Sequence, residues 1–291
     1  MTEFVVPPRL VAAAAPDGRD EFRGWLNDLP EMVQRIAGQW KLSVGQPYEP
    51  GGQCAWVAPA WDRRGTQFAL KLAWRHPAAE GEALALQLAP GHGTVELIQA
   101  EQTPTTNVLL LESCAPGMSL SSAKPEADRD RVIAGILADF WTVPHQRSQF
   151  PDLCELCDRW AQELNTDRTM PEVDPGLARI AGNLLRSLSR DPTEQVLLFT
   201  DLHGDNVLAA QRSPWLAIDP KPHVGDPAFD LVMHIGTSYE RMQTDPCALV
   251  ARMADLTGTD ETRVGLWVFA RAVVERPGKP WLQAAVTALA P

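Results

Sequence analysis

The fold is decided by the stretch Leu197-Leu198-Phe199-Thr200-Asp201-Leu202-His203-Gly204-Asp205-Asn206-Val207-Leu208, which is followed shortly by Leu216-Ala217-Ile218-Asp219. An aspartate and an asparagine lie between two apolar, strand-like runs, and another aspartate closes the next run. Phosphoryl transfer from a nucleoside triphosphate needs a carboxylate to orient the acceptor hydroxyl, and an amide and a carboxylate to hold Mg²⁺. The pattern predicts Asp201 as the catalytic residue and Asn206 and Asp219 as the Mg²⁺ ligands.

A lysine upstream of this stretch fits the same chemistry. The run 67–74 alternates like a strand, so that Phe68, Leu70, Leu72 and Trp74 point to one face. Ala69 and Lys71 point to the other face, as in the V-A-I-K pattern of nucleotide-binding strands. This predicts that Ala69 borders the adenine and that Lys71 reaches the phosphates.

Two further parts of a nucleotide site have less specific sequence patterns: the carboxylate partner of Lys71 and a loop that contains two glycines. Lys71 needs a carboxylate partner, and Glu80 and Glu82 are both available on the next predicted helix. They point in nearly opposite directions, and helical periodicity leaves the choice open. Gly51 and Gly52 precede the lysine strand and could form a loop that covers phosphates, because glycine lets the backbone approach anionic oxygens closely.

The pattern along the chain predicts two lobes, residues 1–113 and 114–291, with a cleft at the hinge. The first lobe is predicted to have an irregular start, then short helices and a small β unit. Pro30 is predicted to be the first residue of the helix that ends at Trp40. The β unit is predicted to consist of strands 53–61, 67–74, 95–100 and 107–111 and a helix over 78–88. Apolar residues recur at helical spacing over 129–141, 153–164 and 177–188, which predicts a mainly helical second lobe around a catalytic hairpin.

Composition excludes several classes of protein. The 291 residues carry a net charge of −11, which argues against a nucleic-acid partner, although it could draw a cationic substrate to an acidic cleft. No run of about twenty apolar residues predicts a membrane span, and the first residues resemble a secretion signal only faintly. We therefore expect a cytoplasmic protein. The lone CxxC pair at 154–157 is interpreted as helix packing rather than as a zinc site.

The segment that follows the catalytic hairpin, residues 225–231, has the sequence pattern of a helix N-terminus. Asp226 is predicted to cap the helix and Pro227 to be its first residue. Asp230, in the first turn, could brace the catalytic loop through backbone hydrogen bonds.

These residues resemble the aminoglycoside phosphotransferase family, which has a protein-kinase-like α+β fold, and within it the streptomycin and hydroxyurea phosphotransferase branch. The matching segments are 200–203, 206–208, 214–222 and 224–230, with weaker agreement at 69–71, 82–86 and the hinge at 109–112. The resemblance implies ATP as donor, Mg²⁺, and O-phosphorylation of a small hydroxylated molecule. It favours Glu82 as the partner of Lys71 and makes Glu112 and Cys114 candidate nucleotide contacts. Acidic residues of the helical lobe bind the acceptor in this family, and Asp226, Glu240 and Asp245 are candidates by position.

The chain departs from the family pattern at two places. Phe199-Thr200 stand where His-Gly usually precedes the catalytic aspartate, which should alter support of the loop. Asp205 stands where glycine usually precedes the asparagine, and its carboxylate could perturb the Mg²⁺ site or point to solvent.

Other functions remain open at this point. A protein kinase is disfavoured because residues 219–226 leave no room for a long activation segment. A metallohydrolase could use a ligand cluster of Asp201, His203, Asp205, His223 and Asp226. A kinase of a natural metabolite and a catalytically silent nucleotide-binding protein are the remaining alternatives. Oligomeric state is not predicted.

Overall fold

The computed structural model describes residues 4–16, 19–76, 79–166, 174–275, 279 and 282–291. Contacts divide the chain into two compact units, residues 1–87 with 95–115 and residues 88–94 with 116–291. Across the described ranges, none of the helices has both the length and the apolar character that crossing a bilayer requires.

The first unit is built on a five-stranded antiparallel sheet with the order β1-β2-β3-β5-β4. Its strands are β1 (Ser43–Val44), β2 (Ala55–Trp61), β3 (Gln67–Trp74), β4 (Leu97–Gln102) and β5 (Thr106–Glu112). Its helices are α1 (Pro8–Ala13), α2 (Asp20–Trp40) and α3 (Glu82–Leu88). The four strands predicted from alternation are present with small shifts of their ends. The helix predicted from residue 78 begins at Glu82, and residue 78 itself lies outside the described residues.

The start of the chain differs from the prediction of short helices. Asp20–Trp40 is one helix of 21 residues with Pro30 inside it, so the prediction that Pro30 begins a helix is wrong. Proline removes one backbone hydrogen bond and disfavours the helix interior. The apolar stripe of α2 nevertheless continues across the proline, and its burial holds the helix together. The buried members of this stripe are Phe22, Trp25, Leu29, Val33 and Ile36.

Helix α2 covers one face of the sheet, and Lys71 lies on the opposite face. The α2 stripe packs with Leu70 and Leu72 of β3 and with buried residues of β2 and β5 in one core. The indole nitrogen of Trp25 donates to Thr106 Oγ1 over 2.9 Å and ties the helix to β5. Lys71 pairs with Leu109 of β5 and lies on the face opposite this core.

The second unit is mainly helical. Its helices are α4 (Leu120–Ala123), α5 (Glu126–Trp141), α6 (Leu153–Thr166), α7 (Pro175–Arg190), α8 (Pro227–Gly236), α9 (Tyr239–Thr244), α10 (Pro246–Thr257), α11 (Glu261–Glu275) and α12 (Gln283–Ala288). Two small antiparallel sheets pair β6 (Val196–Leu198) with β9 (His223–Gly225), and β7 (Val207–Ala209) with β8 (Trp215–Ala217). The predicted hairpin around 211–214 is therefore β7–β8.

Residues 88–94 belong to the second unit because they bond to β8 and the turn before it. The amide of Ala217 donates to Gly93 O over 2.8 Å, and Arg212 donates to Thr94 O over 2.7 Å. The lobe boundaries at 1–113 and 114–291 stay a prediction.

A buried carboxylate joins four helices of the second unit. Asp130 on α5 is fully buried and accepts hydrogen bonds from His234 on α8, Arg241 on α9 and Arg252 on α10. Burial alone would raise the pKa of Asp130, but the hydrogen bonds from these three residues lower it to about 2. The ionised carboxylate therefore stabilises the folded state.

We expect Asp130→Asn to lower the free energy of unfolding of this unit by about 3 kcal/mol, because two arginines and a buried histidine lose their anion. The folded-state pKa lies below the unfolded value, so this stabilisation is present above about pH 4 and is lost as the pH falls towards 2. Urea denaturation at pH 7 and at pH 3 measures both effects. Asp139→Asn, an exposed position of the same helix, is the control. Equal denaturation midpoints for Asp130→Asn and the wild type at pH 7 would contradict the assignment.

Candidate active site

The catalytic loop leaves β6 through a residue with an unusual backbone conformation. Thr200 has φ +60°, and its hydroxyl donates to Lys221 O over 2.5 Å. Asp230 on α8 is fully buried and accepts from the amides of Phe199 and Thr200 over 2.8 and 2.6 Å. A left-handed conformation at a threonine persists only where the surroundings fix it. These bonds to Asp230 and Lys221 fix it here and aim the next residue, Asp201.

Asp201 lies beside a cation that the sequence analysis did not single out. Lys221 Nζ is 2.7 Å from Asp219 Oδ2 and 4.0 Å from Asp201 Oδ2. Burial raises the pKa of Asp201, and the charges of Lys221 and His203 oppose this shift. Lys221 lies in the matching segment 214–222, and its position two residues after Asp219 was the available signal. Asp201 and Asp219 are therefore brought together around one ammonium group.

Asn206 and Asp219 flank the β7–β8 hairpin. Val207 pairs with Ala217 in the hairpin, and the amide of Ile218 donates to Asn206 O over 2.9 Å. Asn206 Nδ2 donates to Asp201 O over 2.9 Å, which turns its amide oxygen the other way. Asp219 has φ +61° and is one of three non-glycine residues with positive φ in the described chain. The hairpin thus presents an amide oxygen and a carboxylate, which are the hard oxygen donors that suit Mg²⁺.

The two departures from the family pattern have structural explanations. Asp205 is exposed, which agrees with the predicted alternative that it points to solvent, and the hydroxyl of Ser121 on α4 donates to its carboxylate. Phe199 is fully buried and packs edge-on against Phe140, with ring centroids 5.2 Å apart. Together these contacts fix the loop to α4 and α5 from both sides.

In the first unit, the lysine of β3 is paired with Glu82. Lys71 Nζ lies 2.7 and 2.8 Å from the two carboxylate oxygens of Glu82, and both side chains are buried. Glu80 instead pairs with Arg75 over 2.8 Å. The alternative left open by helical periodicity is thus resolved in favour of Glu82.

The remaining nucleotide candidates also lie in the first unit. Ala69 pairs with Leu111 of β5, and Glu112 ends that strand, where its carboxylate accepts from the amide of Glu96 over 3.0 Å. Cys114 is half-buried. Gly51 has φ +80°, and a Cβ there would lie 2.4 Å from Pro7 Cβ, so packing alone explains this glycine. A phosphate role for Gly51 and Gly52 stays a prediction.

The acidic residues predicted to bind the acceptor do not form one group. Asp226 is 1% exposed, caps α8 through Ala228, and accepts from Arg263 and Trp267. The prediction that Asp226 contacts the acceptor is corrected, because its oxygens are engaged within the core. Glu240 and Asp245 are exposed, and Asp245 caps α10 through the amide of Ala248. Their substrate roles stay predictions.

The metallohydrolase cluster is not supported by the geometry. Among the described residues, no group of three or more histidine, cysteine, aspartate or glutamate side chains is arranged to hold a metal ion. Asp226 is committed to Arg263, Asp205 to Ser121, and His223 Nδ1 lies 2.9 Å from Lys221 O.

Solved structures define the class of fold. The chain matches a choline kinase from Streptococcus pneumoniae with a TM-score of 0.62 at 15% identity, covering 90% of this chain and 99% of that one. It matches a macrolide 2′-phosphotransferase from Brachybacterium faecium with a TM-score of 0.58 at 19% identity, covering 91% and 98%. The fold is therefore the two-lobed, protein-kinase-like α+β fold of small-molecule kinases, as predicted.

Sequence relatives define the family. The model for aminoglycoside/hydroxyurea antibiotic resistance kinases matches residues 40–276, and the chain belongs to this family. It is 31% identical to streptomycin 6-kinase of Streptomyces griseus over 91% of this chain and 88% of that protein. It is 30% identical to hydroxyurea phosphotransferase of Kitasatospora aureofaciens over 92% and 78%. The enzyme is thus a phosphotransferase with a hydroxyl group as acceptor, as the sequence pattern predicted.

Proposed function

We propose that this protein is an ATP- and Mg²⁺-dependent O-phosphotransferase whose acceptor is streptomycin-like or is hydroxyurea, and that it acts in the cytoplasm. The observation that carries the proposal is the convergence of Asp201, Asn206 and Asp219 on one hairpin and loop. When bound, ATP supplies the phosphoryl group and Mg²⁺ supplies positive charge to its oxygens.

Each residue of the second unit has a distinct role in this proposal. The carboxylate of Asp201 accepts a hydrogen bond from the acceptor hydroxyl and takes its proton, while the hydroxyl oxygen bonds to the γ-phosphorus of ATP and the bond from that phosphorus to ADP breaks. Asn206 and Asp219 hold the metal ion. Asp230 is a positioning residue, because it acts on Asp201 only through the loop backbone.

In the first unit, Lys71 binds the phosphates and Glu82 keeps its ammonium group extended from β3. A buried lysine is costly without an anion, so the pairing also makes it possible for this cation to lie inside the protein. Ala69, Glu112 and Cys114 are proposed to border the nucleotide, and Gly51 and Gly52 to lie over it.

A coupled ADP-release assay across aminocyclitols, hydroxyurea and small amino alcohols tests the proposal. We expect acceptor-dependent ADP release that requires Mg²⁺ and is absent when the acceptor is left out. Nucleotide binding without ADP release on the whole panel would favour a silent nucleotide-binding protein. Turnover of a cellular metabolite in preference to the whole panel would favour a metabolic kinase.

A further inference from the structure

Lys221 places an ammonium group between the proposed base and a proposed metal ligand. Its Nζ lies 2.7 Å from Asp219 Oδ2 and 4.0 Å from Asp201 Oδ2. The side chains of Lys221, Asp201 and Asp219 are 24%, 29% and 33% exposed, so a ligand can reach all three from solvent. The cation is therefore close to any group that binds at Asp201 and Asp219 together.

The main chain of Lys221 is fixed to the catalytic loop. Its amide donates to Phe199 O over 3.0 Å, and its carbonyl accepts from the hydroxyl of Thr200 over 2.5 Å. Phe199 and Thr200 are the two residues that precede Asp201. The hydrogen bonds that aim Asp201 thus also fix the point from which the lysine side chain extends.

Prolines at 220 and 222 hold Lys221 from both sides. The ring of a proline fixes its own φ, and the residue before a proline is largely restricted to extended conformations. The freedom of the ammonium group is therefore confined to the side chain. A charge that is already in position costs little reorganisation when the reacting groups arrive.

The ammonium group of Lys221 has donors for a further anion. A lysine ammonium carries three N–H donors, and the bond to Asp219 Oδ2 uses one of them. The 4.0 Å to Asp201 Oδ2 is longer than a hydrogen bond. Lys221 can therefore bind another anion without leaving Asp219.

The phosphoryl group in transit is the anion that this position suits. Asp201 is proposed to bind the acceptor hydroxyl and Asp219 to hold the metal ion on the phosphate oxygens, so the group being transferred has to lie between them. Its negative charge is spread over three oxygens in the transition state. Lysine binds such oxygens as a point charge, and a fixed cation stabilises charge where it develops.

We propose that Lys221 is a catalytic residue, whose ammonium group donates to the oxygens of the phosphoryl group during transfer, and that Asp219 orients this ammonium group in addition to holding Mg²⁺. The inference rests on the proposed phosphotransferase function and adds a catalytic cation to it. The acceptor oxygen bonds to the γ-phosphorus, the bond from that phosphorus to ADP breaks, and the acceptor proton goes to Asp201. Lys221 stays protonated and supplies charge alone.

A purely structural ion pair leads to a different expectation. Asp219 has φ +61°, and an ion pair that served only to hold this backbone would act on stability and on the metal site. Loss of the ammonium group would then lower the denaturation midpoint and raise the Mg²⁺ requirement. The value of kcat at saturating Mg²⁺ would stay near that of the wild type.

Lys221→Met and Lys221→Gln test the role of the charge. Methionine keeps most of the length of the side chain, and glutamine keeps a donor for Asp219. We expect both variants to lower kcat at saturating ATP and Mg²⁺ by about 10²- to 10³-fold, with less than about a tenfold rise in the KM for ATP and little change in the denaturation midpoint. Lys221→Arg keeps the charge and should retain more activity than either. Lys124→Met, at an exposed lysine after α4, is the matched control.

Binding of a transition-state mimic gives a readout that needs no turnover. ADP with Mg²⁺ and aluminium fluoride imitates the phosphoryl group in transit, and calorimetry measures how much more tightly it binds than ADP with Mg²⁺ alone. We expect Lys221→Met and Lys221→Gln to bind ADP as the wild type does and to lose most of the gain from aluminium fluoride.

The inference and the proposed function fail in different ways. A wild type that binds no ADP, or releases none with any acceptor of the panel, counts against the proposed function. If the wild type is active and the charge-free variants keep kcat within about threefold, Lys221 is structural and the inference is wrong. An equal gain from aluminium fluoride in wild type and variants, or no gain in any of them, also overturns it. Lys221→Gln keeps the test decisive if Lys221→Met does not fold.

Discussion

Asp201→Asn is expected to lower kcat by about 10³-fold or more while the protein stays folded, because asparagine cannot take the acceptor proton. Asparagine has nearly the same shape as aspartate, so the fall in kcat reports the loss of the carboxylate and not a change in packing. Burial raises the pKa of Asp201, and the charges of Lys221 and His203 oppose this shift. Steady-state ADP release and circular dichroism measure the two parts of the expectation.

Asp205→Asn provides the control for this variant. Asp205 lies on the same loop, but its carboxylate accepts from Ser121 on α4 instead of facing the reacting groups. We expect a far smaller change in kcat for Asp205→Asn. If Asp201→Asn kept most of the activity, the assignment of Asp201 as the base would be wrong.

Asp219→Ala is expected to have a comparable effect, lowering kcat by about 10³-fold or more and raising the Mg²⁺ concentration needed for half-maximal activity. The change removes a carboxylate donor for the metal. It also releases Lys221, whose ammonium group lies 4.0 Å from Asp201 Oδ2. The ammonium would then move towards the base and reduce its ability to accept a proton.

A Mg²⁺ titration of kcat distinguishes this mechanism from general destabilisation. Excess Mg²⁺ should restore only part of the activity, since Lys221 stays misplaced. Asp255→Ala, at an exposed position of α10, should leave both parameters unchanged. An Asp219→Ala variant with the same Mg²⁺ dependence as the wild type would exclude Asp219 as a ligand.

Much of the fold could be predicted because its strands alternate clearly and its helices carry regular apolar stripes. The strand of Lys71, the β7–β8 hairpin and the helix start at Asp226 follow from local patterns that tertiary contacts reinforce. The choice between Glu80 and Glu82 could not be made from periodicity, since it depends on how α3 is placed against β3.

Other parts of the site depend on contacts that are distant in sequence. The pairing of Lys221 with Asp219 and its proximity to Asp201 require the loop and hairpin to meet. The burial of Asp226 depends on Arg263, which lies 37 residues away.

The proline inside α2 bears on how the first unit assembles. Pro30 lacks the amide hydrogen that would bond the carbonyl of Leu26, and a proline in a helix interior costs about 3 kcal/mol. The stretches on either side of Pro30 are about ten residues each, and isolated helices shorter than about 12–15 residues are marginal in water. We therefore expect the segment to become helical only as Phe22 and Trp25 pack into the core that they share with the sheet. Sheet and helix in this unit consequently fold together, and neither can be weakened without the other.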